Sequence, residues 1–326
     1  MRPDSSVLLL TTLIGVGQGL FLALFTVQLY ALFGLLPPQD GHAFYAQGSL
    51  IALAFIAAGL VASFFHLGRP ERAWRAAAMW RTSWLSREVI VLPAFMGIVF
   101  LFGTAHLMGF TPVLVVLPSG IAIDATVVLG TLGTALAFAL FVCTAMIYAC
   151  LPFLREWASP LTVINYILLG GASGFTLAAA FAGWVAPDLT RFFSGWAFIL
   201  TMLGFASRVA SLIRNSRLKP KSTLQTAIGI KHPRIVQKSM GFMGGSFNTH
   251  EFFHGEGRSF LRSIKWVFLA AAFAIPALLL AAALAGAPAG LLPLAFGVQY
   301  AGLLAARWFF FAQANHPQNL YYQAVA

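Results

Sequence analysis

Eight apolar runs, each long enough to cross a lipid bilayer, decide what this chain can become. They cover roughly residues 7–34, 44–66, 84–108, 120–151, 160–184, 191–213, 265–286 and 290–313. A spanning helix needs about 20 mostly apolar residues. Within lipid every backbone N–H and C=O must be satisfied inside the segment, so the expected fold is all-α, integral to the membrane, with eight transmembrane helices. The rest of the composition agrees. Only 9% of residues are charged, against about 25% in a soluble domain. Pro37, Pro38, Pro112, Pro118, Pro152, Pro160, Pro187 and Pro288 fall in or beside the connections, as helix breakers do. Pro93 and Pro276 lie inside runs, where kinks are expected. Met1–Ser6 leads into the first run without an evident cleavage site, so that run is expected to be a membrane helix rather than a removed signal peptide. Trp84, Trp157, Trp184, Trp266 and Trp308 lie near run ends, where amphipathic rings favour the membrane interface.

An even number of spans places both termini on one face, here called face A, with face B opposite. The formal net charge is +11. In a soluble chain that would suggest a nucleic-acid partner; here its distribution matters more, and the partner expected from it is the bilayer. Of the 20 Lys and Arg, Arg191 alone falls on face B. The positive-inside rule then makes face A cytoplasmic, with both termini there. The chain reads as one membrane domain, 1–326, with a basic cytoplasmic loop at 215–263 between the sixth and seventh helices. That loop carries Lys231, Arg234 and Lys238 and the cluster GFMGGSF. Aromatic and Met residues in it favour a protein-docking surface over a purely lipid-steered basic segment.

The stretch FFHLGRPERAWRAAAMWRTSWLSREVI, Phe64 to Ile90, gathers charge between the second and third runs. His66 ends one run, and Glu88 is expected in the first turn of the next helix. Arg69, Arg72, Arg75, Arg81 and Arg87 lie between them on face A. Titratable groups beside a lipid-accessible apolar wall suit a quinone, whose reduction takes two electrons and two protons.

HLGRPERAW followed by SWLSRE resembles the signature of the membrane anchor subunits of the dimethyl sulfoxide reductase family. The eight-helix plan is similar over nearly the whole chain. The resemblance implies a quinone-binding anchor in the bacterial inner membrane, passing electrons between an iron–sulfur subunit and membrane quinone. It implies two partners on the cytoplasmic side, a four-cluster iron–sulfur subunit and a molybdopterin catalytic subunit. The quinone, ubiquinone or menaquinone, would be an exchangeable substrate. No haem, iron–sulfur cluster or molybdenum is expected in this chain, and no catalytic residue for the substrate of the complex. The family's quinol-site residues correspond to His66 and Glu88. Arg69, Trp84, Ser86 and Arg87 join the candidate quinone site. Gln18, in GQGLF, and Arg307, about two turns inside the eighth run, are added to it. Arg72, Arg75, Arg81, Lys231, Arg234 and Lys238 are the candidates for partner docking. KHPRIVQKSMGFMGGSF and the tail RWFFFAQANHPQNLYYQ resemble, within that family, the membrane subunits of cytoplasmic sulfite dehydrogenases. Sulfite oxidation is therefore the implied use, with menaquinol oxidation for a dimethyl sulfoxide or related reductase as the alternative.

Other readings fit less well. A transporter would show inverted repeats and broken helices at mid-membrane, and neither is evident. A bis-His haem needs two imidazoles at similar depth. The in-span histidines, His66 and His106, sit at opposite ends of their helices, about 30 Å apart by bilayer thickness. Cys143 and Cys150 are too few for an iron–sulfur cluster, and His250 and His254 in HEFFH lie in loop-like surroundings. Arg208 is expected to snorkel from the sixth run and Asp124 to be solvated. Asn165, Gln299 and Gln313 are expected to bridge helices.

Overall fold

A computed structural model of the chain describes residues 1–219, 223–236 and 254–317. Eight helical segments in it are long and apolar enough to cross a membrane. They are α1 (Ser5–Leu32), α2 (Gln47–Phe64, entered through a π-helical turn Gly41–Ala46), α3 (Trp84–Leu107), α4 (Ala125–Ala149), α5 (Pro160–Val185) and α6 (Thr190–Ser216). A short α7 (Leu224–Ile228) follows. The seventh span is α8 (Arg258–Leu269), a π-turn Ala270–Ala274 and α9 (Ile275–Leu284); the eighth is α10 (Leu291–Ala312). Lys238 and the GFMGGSF cluster lie outside the described residues.

Local chemistry sets the helix starts. Asp4 accepts the Ser6 N–H at 2.8 Å and caps α1. Ser83 caps α3, and Asp124 accepts the Val127 N–H at 2.9 Å to cap α4. Ser159 caps α5 with Pro160 in its first turn, where a missing N–H costs nothing. Pro93 sits within a continuous α3. Pro276 is the second residue after the π-turn, in the first turn of α9, where a missing N–H is tolerated. Asp124, expected to be simply solvated, is thus a helix cap.

Small residues hold the centre together. α1 packs chiefly on α2 and α5, α5 on α6, and α3 on α4. Gly15 and Gly19 of α1 face Gly170 and Gly174 of α5. A Cβ on Gly19 would stand 2.1 Å from the Gly170 oxygen, so the two backbones touch. Such close approach through small residues spaced four apart is a main source of helix association in lipid. Gly302 of α10 does the same against Ala271 and Ala272. The core between these seams is aromatic: Phe21 meets Phe95 and Phe102 edge-on, with centroids 5.5 and 5.4 Å apart.

Several expectations change. The fourth apolar run predicts helix from residue 120, but residues before Ala125 form an antiparallel hairpin, β1 (Val113–Val116) with β2 (Ala122–Asp124). β-branched residues suit strands, and Gly120 turns the chain with φ +82°, a left-handed conformation that glycine adopts freely. The seventh helix starts at Arg258, earlier than its apolar run, so Arg258, Arg262 and Lys265 are helical. Trp157 is no interface anchor. It is buried, its indole N–H donates to the Phe310 carbonyl at 2.8 Å, and it packs with Tyr148, Phe310 and Phe311. The Met1 amine donates to the Ala314 carbonyl at 2.8 Å, which joins the head of α1 to the segment leaving α10. The two ends of the described chain therefore share one face, as eight crossings require.

Candidate functional site

Six helices, α1, α3, α4, α5, α6 and α10, surround a cavity that opens at face A. Glu156, Arg214 and Gln313 line it near the helix ends; Gln18, Glu88, Thr144, Tyr166, Arg208 and Arg307 line it within the spans.

Glu88 reaches this cavity because of its place on α3. Glu88, Leu92, Phe95, Val99, Phe102 and His106 form one buried stripe at spacings of three and four. The carboxylate therefore occupies a position that is otherwise apolar, and it is only 8% exposed. Thr144 of α4 donates its hydroxyl to Glu88 Oε1. Glu88 is the fifth residue of α3 and so lies in its second turn rather than its first. Its surroundings are the helix bundle rather than the helix terminus.

Gln18 of α1 is buried and donates to the Ala137 carbonyl of α4 at 2.9 Å, so it bridges helices while lining the cavity. Asn165 also does both, donating to Ser211 Oγ of α6 at 2.7 Å. Gln299, by contrast, bridges to Thr201 at 3.0 Å. Arg307 stands over the Tyr166 ring, its guanidinium carbon 3.7 Å from the centroid, close enough for a strong cation–π contact. Tyr166 in turn stacks on Tyr148. Arg208 does not snorkel. It is 4% exposed, lies over Phe268 at 5.2 Å and donates to the Ala306 carbonyl at 3.5 Å. Arg214, at the mouth, donates to the Arg155 and Ala158 carbonyls at 3.0 and 3.1 Å.

The structure divides the residues expected at this site into two groups. Glu88, Gln18 and Arg307 line the cavity. His66, Arg69, Trp84, Ser86 and Arg87 are not among its lining residues. His66 is exposed just beyond the end of α2, where its Nδ1 lies 3.1 Å from Ser6 Oγ. Ser6 also donates its hydroxyl to Asp4 at 2.6 Å. Burial opposes ionisation of Asp4, but the hydrogen bonds from the Ser6 hydroxyl and backbone, with His66 nearby, hold its carboxyl below the usual range. His66 is thus built into the head of α1. Arg87 turns away from the cavity: it lies 4.2 Å over Trp84 and donates to the Trp80 and Arg81 carbonyls at 3.0 and 2.8 Å. Ser86 is buried, and its N–H caps onto Ser83. Arg69 precedes an exposed 3₁₀ segment, Pro70–Met79.

That segment and its flanks form a second surface on face A. Trp74, Met79 and Trp80 are exposed, with Arg75 and Arg81 stacked over Trp74 and Trp80 at 5.5 and 5.4 Å. Arg72 lies 3.9 Å from Glu71. Lys231 and Arg234 lie in an exposed stretch after α7.

Thr144, Tyr166 and Arg208 join the site from outside the expected set. A threonine or tyrosine in an apolar run carries no signal of which way it points. Arg208 carries a partial one, since it lies two turns before the end of α6 at Ser216.

The family description "DMSO reductase anchor subunit (DmsC)" matches residues 2–287 of this chain. Among curated proteins, the chain is 57% identical to the C subunit of sulfite dehydrogenase from Allochromatium vinosum over 326 residues, the full length of both.

Proposed function

The chain belongs to the DMSO reductase anchor subunit (DmsC) family, and we propose that it exchanges electrons between an iron–sulfur partner on face A and a membrane quinone held beside Glu88. The observation that carries this reading is the buried carboxylate of Glu88, bonded to Thr144 and opening on a cavity that also holds Gln18 and Arg307. A quinone head accepts hydrogen bonds at two oxygens and needs a proton at each when it is reduced. Glu88 supplies one proton donor at a fixed point, Thr144 fixes its orientation, and the open mouth at face A returns the proton from water. Aromatic side chains and the helix walls exclude lipid from the reacting oxygens.

The exposed Trp and Arg surface at 70–81, with Lys231 and Arg234, is the proposed dock for the iron–sulfur subunit, which a molybdopterin subunit accompanies. Exposed aromatic and Arg side chains together are typical of protein interfaces. Face A is proposed as cytoplasmic because all Lys and Arg but Arg191 lie on or near it. The full-length likeness to a sulfite dehydrogenase subunit favours sulfite as the electron source. Sulfite and water then give sulfate, two protons and two electrons; quinone takes two electrons and two protons to quinol. Both half-reactions use protons of the same face, so the step itself moves no charge across the membrane.

The test is to purify the complex through a tag on this chain and supply sulfite with a short-chain quinone. Sulfite-dependent quinol formation, with molybdenum and iron in the preparation, is expected. A complex without molybdenum, or one that reduces artificial acceptors but no quinone, contradicts the reading. A membrane potential generated by sulfite plus quinone in sealed vesicles contradicts its one-sided proton chemistry.

A further inference from the structure

Two cations line the cavity, and one of them, Arg208, has donors that the protein leaves unspent. Arg208 is buried, and among the described residues its hydrogen bonding amounts to the long 3.5 Å contact with the Ala306 carbonyl, while its Nε is buried without a partner. Ala306 directly precedes Arg307, and both arginines line the same space. Among the described residues neither guanidinium lies within ion-pair distance of a carboxylate. The carboxylates on the cavity wall are Glu88, engaged by Thr144, and Glu156 at the mouth. A buried cation is costly unless an acceptor or counter-charge meets it, and two in one cavity repel. Aromatic faces of Phe268 and Tyr166 offset only part of this.

We propose that Arg208 and Arg307 form a cationic subsite for the quinone oxygen remote from Glu88, and that this subsite prefers the oxygen as an oxyanion. The proposal rests on the quinone reading above and adds to it the assignment of the second oxygen. Quinone takes two electrons from the iron–sulfur partner and one proton from Glu88, giving a hydroquinone monoanion. Its charge resides on the oxygen facing the arginines, where charge-assisted hydrogen bonds are strongest. A second proton, drawn from water at the mouth, then gives neutral quinol, which the cations hold less tightly. A planar guanidinium with several donors suits an oxygen held in a fixed direction.

The test is calorimetric binding to the full chain in detergent near neutral pH. The probes are a 2-hydroxy-3-alkyl-1,4-naphthoquinone, whose acidic enol is ionised there, and its neutral 2-methoxy counterpart. The wild type is expected to bind the ionised probe at least about tenfold more tightly. Arg208→Gln is expected to bring the two affinities close together, chiefly by weakening the ionised probe. Arg208→Lys keeps most of the preference, and Glu88→Gln keeps it too. If Arg208→Gln is not recovered folded, the comparison is made with Arg307→Gln. Equal affinities in the wild type, or a preference that survives both Arg→Gln changes, overturn the proposal and leave the quinone site standing. Failure of both probes to bind the wild type overturns the quinone reading itself. Added anionic phospholipid is expected to leave binding unchanged; Arg208-dependent displacement of the ionised probe would assign the cations to a lipid headgroup and overturn the proposal.

Discussion

The guanidinium carbon of Arg307 of α10 lies over the ring of Tyr166 of α5, 3.7 Å from its centroid. That contact holds a charge inside a membrane span, five residues before its last residue, Ala312; insertion scales assign about 2.5–3.5 kcal/mol to a mid-helix arginine and less towards the ends. The same arginine lines the cavity that Glu88 enters from α3. A cation and a carboxylate thus line one cavity from separate helices, and the predictions below follow from it.

Glu88→Gln keeps the size and the bond to Thr144 but removes the titratable proton. Quinone-dependent turnover of the complex is expected to fall by about 10²–10⁴-fold, the usual contribution of a positioned acid. Turnover with a water-soluble artificial acceptor is expected to be unchanged. Stopped-flow quinone reduction alongside a dye assay checks this; equal rates of quinone reduction in both proteins contradict it.

His66→Ala is expected to behave differently. Its ring meets Ser6 at the exposed head of α1 and does not line the cavity. The maximal rate with quinone is expected to stay within about twofold, far short of the 10² that loss of a proton donor brings. A loss as deep as that of Glu88→Gln would place the imidazole in the proton-transfer step.

Gly174→Leu tests the central helix seam. A Cβ at Gly174 would stand 2.1 Å from the Gly19 carbonyl carbon. Because the obstacle is backbone, α1 and α5 must part. Overpacking of a tight core costs about 1–3 kcal/mol and sometimes more. The purified chain is expected to unfold at a clearly lower temperature in detergent, and Gln18, one residue from Gly19, to lose its place. An unchanged midpoint contradicts the packing.

The joined ends give a pH dependence. Burial lowers the Met1 amine to about 6 from an ordinary value of 8.0. Burial, then the positive N-terminus, lowers His316 as well. The folded chain therefore binds fewer protons than the unfolded chain between about pH 6 and 8, so stability rises with pH across that window. Thermal midpoints are expected to climb over this range, and to climb less after N-terminal acetylation combined with His316→Asn. A wild-type midpoint that is flat or falls over the same range contradicts this.

The eight helices are legible in the sequence because lipid leaves a long apolar run almost no alternative to helix. The hairpin at 113–124 is not, since its Val and Ile residues continue the apolar character of the neighbouring helices. Pro118 and Gly120 are the signs of its turn. Glu88, Gln18 and Arg307 are legible as polar groups in apolar runs, a costly placement in lipid. The separation of His66 from the cavity is not legible. Glu88 is aimed inward by the buried stripe of α3, whereas His66 lies past the last turn of α2, where no helical period directs it. Arg208 looks like a snorkelling residue because sequence gives its depth along α6 but not which side faces Phe268 and the cavity. Trp157 looks interfacial for the same reason: its nearness to a helix end is visible, and its partner Phe310, on a distant helix, is not.

The most direct measurement is photolabelling of the membrane-bound complex with a radiolabelled azidoquinone, followed by peptide mapping of this chain. Label is expected on α3 around Glu88 and on α10 around Arg307, and excess unlabelled quinone is expected to abolish it. Label confined to the opposite end of α3 around His106, or spread over the outer surfaces of the helices, would contradict a quinone site at face A.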